Sequence, residues 1–278
     1  VVQDANTPAA ELAAANPDAA ALIVRSEVVD AALLDALPAL KLVVRAGAGY
    51  NTIDTKHARR RGVDVMNTPG ANANAVAEEV VALILAAYRH VIKGDLSCRG
   101  GEWEKKAFMG RELTGKTVGI VGLGNIGQLV VKRLAGFEVK VLAHDPVVSS
   151  ERAEELSVEL CPLPDLFARA DIVSLHMPET AETRRMINKD LLDRMKTGAM
   201  LVNCARAGVV EEADLRAAKA AKRLVYCNDV YPKDEPGPKS VADVADIMLP
   251  HLGASTAEAN YNAARRAAEQ TIAYFERG

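Results

Sequence analysis

Residues 116–146 read KTVGIVGLGNIGQLVVKRLAGFEVKVLAHDP, and this stretch narrows the possible folds more than any other. Thr117–Val121 is an apolar run without polar alternation, as expected for a strand buried on both faces of a parallel sheet. Gly122-Leu123-Gly124-Asn125-Ile126-Gly127 follows, a G-x-G-x-x-G. Ile126, Val130, Val131 and Leu134 then form one helical stripe, with Lys132 and Arg133 off it. A second strand is expected over Phe137–Ala143, and Asp145 stands just past its end.

Each part has a physical task. Gly122 permits a tight turn, Gly124 lets backbone amides approach a pyrophosphate, and Gly127 lets the helix pack closely on the strand. The helix N-terminus offers unpaired N–H groups and a partial positive charge to phosphates. Asp145 follows the glycines by about 20 residues, where a carboxylate accepts both ribose hydroxyls of NAD. No arginine follows it closely to receive a 2′-phosphate, so NAD is expected rather than NADP. A lone glycine motif is a weak signal, but strand, glycines, helix, strand and acid in order are specific.

Composition bounds the remainder. The 278 residues suit two α/β domains or one large one, with 49% hydrophobic and 26% charged residues. A net charge of −3 argues against a nucleic-acid partner, and the cluster Arg59-Arg60-Arg61 reads as a solvated helix end. Cys98, Cys161, Cys204 and Cys227 lack metal-ligand spacing, so no metal is expected, and scattered thiols suit a reducing cytoplasm. Neither a signal peptide nor a membrane span is legible, because the apolar helix at 76–91 is interrupted by Glu78, Glu79 and Arg89. A cytoplasmic enzyme is the expectation.

Residues 1–4 resemble the end of a strand, so at least one N-terminal βα unit is expected to be missing. Helices follow at 8–16, 30–37 and 51–61, with strands at 21–25, 40–45 and 63–66. This alternation implies a parallel sheet, and such sheets bind ligands outside their carboxyl edges. Arg25 and Arg45 end two of these strands, and Gly47 belongs to a small-residue loop with accessible amides, together a candidate anion site. The turn-rich segment 67–74 reads as a crossing between domains. A long helix is expected over 76–93, apolar enough for a dimer interface or for interior core. Residues 103–113 form a loop carrying the only Trp, expected to serve packing or subunit contact.

After the glycine unit, strands at 171–176, 199–204, 224–228 and 247–249 alternate with helices at 189–195 and 211–219, before a last helix at 256–275. The expected architecture is α/β, with two doubly wound parallel-sheet domains, one Rossmann-type and one flavodoxin-like. Residues 1–67 with 256–278 would bind substrate, and 68–255 would bind NAD. Arg206, Glu235 and His251 fall just beyond three successive strands. Hydride transfer from a 2-hydroxy acid needs a group exchanging the hydroxyl proton near neutral pH, which suits His. An acid would orient that His, and Arg would grip the substrate carboxylate.

The segments Asn203-Cys204-Ala205-Arg206-Ala207-Gly208, Asp229-Val230-Tyr231-Pro232-Lys233-Asp234-Glu235-Pro236 and Pro250-His251-Leu252-Gly253 resemble signatures of the D-2-hydroxyacid dehydrogenase family. The resemblance covers nearly the whole chain. Segments 22–26, 45–54, 67–72 and 103–110 are most similar to its members that oxidise D-3-phosphoglycerate, in serine biosynthesis.

By that resemblance His251 is the acid/base, Glu235 its partner and Arg206 the substrate clamp, with Arg25, Arg45 and Gly47 receiving the substrate phosphate and carboxylate. It also implies NAD contacts at Gly122, Gly124, Asn125, Ile126, Gly127, Asp145, His176, Met177, Pro178, Cys204, Ala205 and Asp229. In the family the glutamate stands five residues after the Asp of the D-V-[FY] segment, a count that Asp234 meets here. Glu235, which precedes the proline, is preferred and Asp234 is the alternative. The expected partner is a small 2-hydroxy acid, phosphorylated by this resemblance, in a homodimer or higher homo-oligomer. An unphosphorylated acid (glycerate, glyoxylate or lactate) and a corepressor-type NAD-sensing protein are the alternatives.

Overall fold

The structure is a computed structural model that describes residues 7–277; the strand end read at residues 1–4 lies outside them. The chain divides into two compact units, Val1–Asn72 with Ala257–Gly278, and Ala73–Thr256. The first unit runs α1 (Ala9–Ala15), β1 (Ala21–Val24), α2 (Ala31–Asp35), β2 (Leu42–Arg45), α3 (Thr55–Arg60) and β3 (Asp64–Asn67). Its three strands are parallel, in sequence order. Asp30 and Asp54 start α2 and α3 by accepting the Leu33 and His57 amides at 2.9 and 2.8 Å, which satisfies orphan donors of the first turn.

The second unit runs α4 (Ala73–Tyr88), α5 (Val91–Arg99), β4 (Thr117–Val121), α6 (Asn125–Leu134), β5 (Lys140–His144), α7 (Ser150–Glu155), β6 (Glu159–Leu160) and α8 (Leu163–Arg169). It continues β7 (Ile172–Leu175), α9 (Lys189–Leu192), β8 (Met200–Asn203), α10 (Glu212–Lys222), β9 (Val225–Asn228) and β10 (Ile247–Met248). These seven strands are all parallel, in the order β10-β9-β8-β7-β4-β5-β6. The winding reverses between β4 and β7, where the doubly wound sheet opens its crevice. The α/β architecture expected from the apolar strand runs is the one that forms.

Alternation along the strands explains the two-sided core. Val118 and Ile120 of β4 and Met200 and Val202 of β8 join the cluster beneath α4 and α6. Val121 and Leu201 join the opposite cluster with Leu166 and Phe167 of α8. Each strand therefore buries both faces, which is why its sequence reads as a run rather than an alternation. The closing helix α11 (Ala257–Arg277) lies on the three-stranded sheet, Ala263 and Ala267 meeting Leu42 and Val44. Gln270 donates to the Asn67 carbonyl at 3.0 Å and the Tyr274 hydroxyl meets Asp64 at 2.8 Å.

Three local expectations are corrected. The helix expected over 76–93 is two, because His90 takes a left-handed conformation (φ 51°) and the Tyr88 carbonyl accepts the Arg111 amide at 2.9 Å instead of extending the helical ladder. The strand expected from Phe137 starts at Lys140: a short 3₁₀ turn spans Ala135–Phe137, and Glu138 reverses the chain with φ 54°. The alternation expected after Asp145 resumes only at 171, yet residues 150–169 already hold α7, β6 and α8. Ser149 caps α7 by accepting the Arg152 amide at 3.3 Å.

Candidate active site

The carboxyl ends of six adjacent strands in the larger unit present the expected site residues in one row. From β10 to β5 these are His251, the segment 229–235, Arg206, His176, the Gly122 loop and Asp145. Five inter-strand steps span about 24 Å along this edge.

On the β4–β5 side the backbone makes the site. Gly122 has φ +97°, and a Cβ there would stand 3.0 Å from the His176 carbonyl. A Cβ on Gly127 would lie 2.1 Å from the Gly122 carbonyl oxygen, so α6 reaches this close to β4 only without a side chain. At Gly124 nothing lies within 4 Å of a Cβ, so the loop surface is open where α6 begins. Gly124 and Asn125 are exposed and Ile126 is half-buried. Asp145 Oδ2 accepts the Leu123 amide at 2.7 Å, and Oδ1 accepts Val147 and Val148 at 2.9 and 3.1 Å. The half-buried carboxylate thus fastens the glycine loop at the carboxyl end of β5, where a ribose is expected. Open glycine surface, helix N-terminus and acid together fit a dinucleotide.

His176 is half-buried, with its ring held on β7. Its Nε2 lies 2.9 Å from Ser174 Oγ, Nδ1 has no partner, and burial pushes its pKa down to about 4. The ring is therefore neutral near pH 7. Met177, Cys204 and Ala205 are buried as well, so what these three positions offer at the strand ends is backbone; Pro178 is exposed. Asp229, expected to touch the cofactor, is 1% exposed. Its two oxygens accept the Leu252 and Gly253 amides at 2.7 and 3.0 Å, so it shapes the loop under His251.

At the far side, His251 takes a left-handed backbone (φ 56°) immediately before those two anchored amides. Its Nδ1 lies 2.6 Å from Asp234 Oδ2. A carboxylate only accepts, so Nδ1 carries the proton and Nε2 is left to exchange one. The preference for Glu235 is thereby corrected. Glu235 Oε1 lies 3.9 Å from Lys233 Nζ, and its carbonyl takes the Lys239 ammonium, so the turn directs its side chain to a surface lysine. Arg206 is half-buried at the end of β8, where Nη1 donates to the Ala205 carbonyl at 2.6 Å; Asn203 donates to the Arg206 carbonyl at 3.0 Å, which fixes the turn.

One charged group was read only as an interruption of an apolar helix. Glu79, on the face of α4 that packs against β8 and β9, stands beside Asp229 and the Cys204 thiol. Burial, reinforced by the Asp229 charge, pushes its carboxyl up to about 8. The legible signal was its place on the helix, three residues after buried Val76 and four before buried Leu83, whereas Glu78 points outward toward Arg133.

In the smaller unit, Val24 pairs with Arg45 across β1 and β2, so Arg25 follows one residue beyond that pair. The two arginines are thus on neighbouring carboxyl ends, both half-buried. Arg45 Nη1 would lie 1.3 Å from a Cβ on Gly47, so the guanidinium occupies the space where a side chain would stand. The Gly47 amide expected to be free donates to the Arg45 carbonyl at 2.8 Å, a correction that leaves the two arginines as the candidate anion site.

Comparison with known proteins agrees with this geometry. Residues 81–253 match the D-isomer specific 2-hydroxyacid dehydrogenase, NAD binding domain family. Over 262 residues the chain is 45% identical to a D-3-phosphoglycerate dehydrogenase of Mycobacterium bovis, covering 93% of this chain and 50% of that protein. It is 41% identical to a hydroxypyruvate reductase of Thermotoga maritima, covering 87% of this chain and 80% of that one. A crystal structure of NAD-dependent formate dehydrogenase from Staphylococcus aureus with NAD superposes with a TM-score of 0.82 at 30% identity, covering 95% of this chain and 82% of that one. The chain spans about half the length of the phosphoglycerate dehydrogenases it matches.

Proposed function

The chain belongs to the D-isomer specific 2-hydroxyacid dehydrogenase family, and we propose that it oxidises D-3-phosphoglycerate to 3-phosphohydroxypyruvate. The observation that carries the chemistry is the 2.6 Å contact between His251 Nδ1 and Asp234, because it fixes the tautomer that leaves Nε2 basic. His251 Nε2 takes the proton of the substrate 2-hydroxyl. NAD, when bound, supplies the acceptor for the hydride leaving C2. The glycine loop 122–127 and Asp145 would hold its pyrophosphate and adenosine ribose. Arg206, always charged, grips the substrate carboxylate and polarises the carbonyl that forms.

The phosphorylated substrate is the finer part of this reading. Arg25 and Arg45 on adjacent strand ends support it by charge complementarity, as does the likeness to phosphoglycerate dehydrogenases. In this reading the smaller unit binds substrate and the larger one binds NAD. The likeness to a hydroxypyruvate reductase favours a second reading, the same chemistry on an unphosphorylated acid. NADH formation from D-3-phosphoglycerate, D-glycerate and D-lactate tests both. Turnover of phosphoglycerate lost in Arg25→Ala or Arg45→Ala, with glycerate turnover spared, is the expected result. Activity on the unphosphorylated acids alone discards the phosphate reading.

The assembly in this reading is a homodimer. α4 is packed within its own unit, but α5 and the loop after it leave Val91, Ile92, Leu96, Trp103 and Met109 exposed, Trp103 by 85%. Such a run of exposed apolar side chains fits a second copy of the chain. A monomeric mass in sedimentation at micromolar concentration would refute it.

A further inference from the structure

We propose that Glu79 is a positioning residue, sharing a single proton with Asp229 beneath the His251 loop, and that loss of this proton at alkaline pH loosens the loop and lowers turnover. The inference rests on the dehydrogenase reading for its kinetic consequence, but the proton itself is independent of it.

The geometry carries the argument. Asp229, just past β9, is 1% exposed, and both its oxygens are taken by the Leu252 and Gly253 amides. A Cβ on Gly253 would lie 3.1 Å from Glu79 Oε2 and 3.3 Å from Asp229 Oδ2, so both carboxyls close on the same point of the loop. Glu79 Oε2 is buried and receives no donor. Two carboxylates in such contact cannot both ionise without repulsion in a poorly solvated site, so one of them keeps a proton and donates it to the other.

The chemistry says which one. Burial raises the Asp229 carboxyl too, but its two backbone donors and His251 across the loop favour its anion. Glu79 has only the weak thiol of Cys204, itself pushed well up by burial, with Cys227 behind it. Among the described residues, the leading influences on this pair include no lysine or arginine. Glu79 therefore carries the proton, and the pair has one negative charge at neutral pH. Above about pH 8 that charge doubles, and the second anion competes for the amides that hold the residues after His251.

Glu79→Gln makes this testable, since Gln is neutral, donates an N–H to Asp229 and keeps the pair at one negative charge. The measurement is kcat/KM for wild type and E79Q from pH 6.5 to 10. The ratio of the two profiles isolates what the substitution changes. The ratio of E79Q to wild type is expected to be flat up to about pH 7.5, then to climb several-fold and level off as the wild type alone loses its proton. A flat ratio throughout overturns the proposal.

A second measurement needs neither the variant nor turnover. Infrared spectra of the wild-type protein carrying ¹³C-carboxyl glutamate should show a protonated-carboxyl band that shifts with the label and vanishes through about pH 8. Its absence at pH 7 overturns the proposal even if E79Q does not fold. The band with no turnover on any 2-hydroxy acid would reject the dehydrogenase reading and leave the shared proton standing.

Discussion

The two ends of the larger sheet's carboxyl edge are built on opposite principles. At β4 and β5 the site is mostly backbone: the glycine loop, a helix terminus and one carboxylate, all within residues 117–145. At β8, β9 and β10 it is mostly side chain, assembled from three loops between residues 203 and 253. The first end depends on what a Cβ would obstruct. The second depends on which of several polar groups meets another across a loop. The first is therefore fixed by local sequence, and the second by loop conformation.

That division should appear in function as a double separation. Replacing His251 by Ala removes the proton-exchanging group, and turnover is expected to fall by about 10²–10⁴-fold. NAD binding, followed by quenching of tryptophan or NADH fluorescence, should stay near wild type. Asp145→Ala should do the reverse. It removes an acceptor of the Leu123, Val147 and Val148 amides along with the ribose contact, so NAD affinity is expected to weaken by about 10–100-fold. At saturating NAD its kcat should change far less. If H251A lost NAD binding as severely as turnover, the two ends would not be separable.

The same division governs what could be read in advance. The order strand, G-x-G-x-x-G, helix, strand, acid demands one geometry, and Gly122, Gly127 and Asp145 stand where that order puts them. At the other end residue types were legible and pairings were not. Asp234 and Glu235 are adjacent acids in an exposed turn, and only the turn's conformation decides which reaches His251. Asp229 is expected on the cofactor side, while its oxygens accept the Leu252 and Gly253 amides, contacts made across 23 and 24 residues. The break at His90 was hidden because its cause, the Arg111 amide at the Tyr88 carbonyl, comes from a distant loop. Glu79 was visible as a charge flanking a buried stripe, but its partner was not, since Asp229 lies 150 positions further along.

Within the second end the comparison sharpens to two neighbouring residues. Asp234→Asn keeps the shape but removes the negative charge and can present either a donor or an acceptor to Nδ1, so the His251 tautomer is no longer fixed and imidazolium formed in turnover is no longer stabilised. A fall in turnover of about 10–100-fold is expected, with the loss concentrated in kcat. Glu235→Gln removes only an exposed ion pair to Lys233, 3.9 Å away, of a kind worth about 0–1 kcal/mol. Its turnover should stay within about threefold of wild type, since no contact of its carboxylate leads to the imidazole. The pair of variants is decisive because the two residues share one turn, and a general disturbance of that turn would depress both alike. Only a direct Asp234–His251 contact predicts a large effect at one position and almost none at the next. If E235Q were the more damaging, the turn would have to reorganise when substrate binds, bringing Glu235 to the imidazole in place of Asp234.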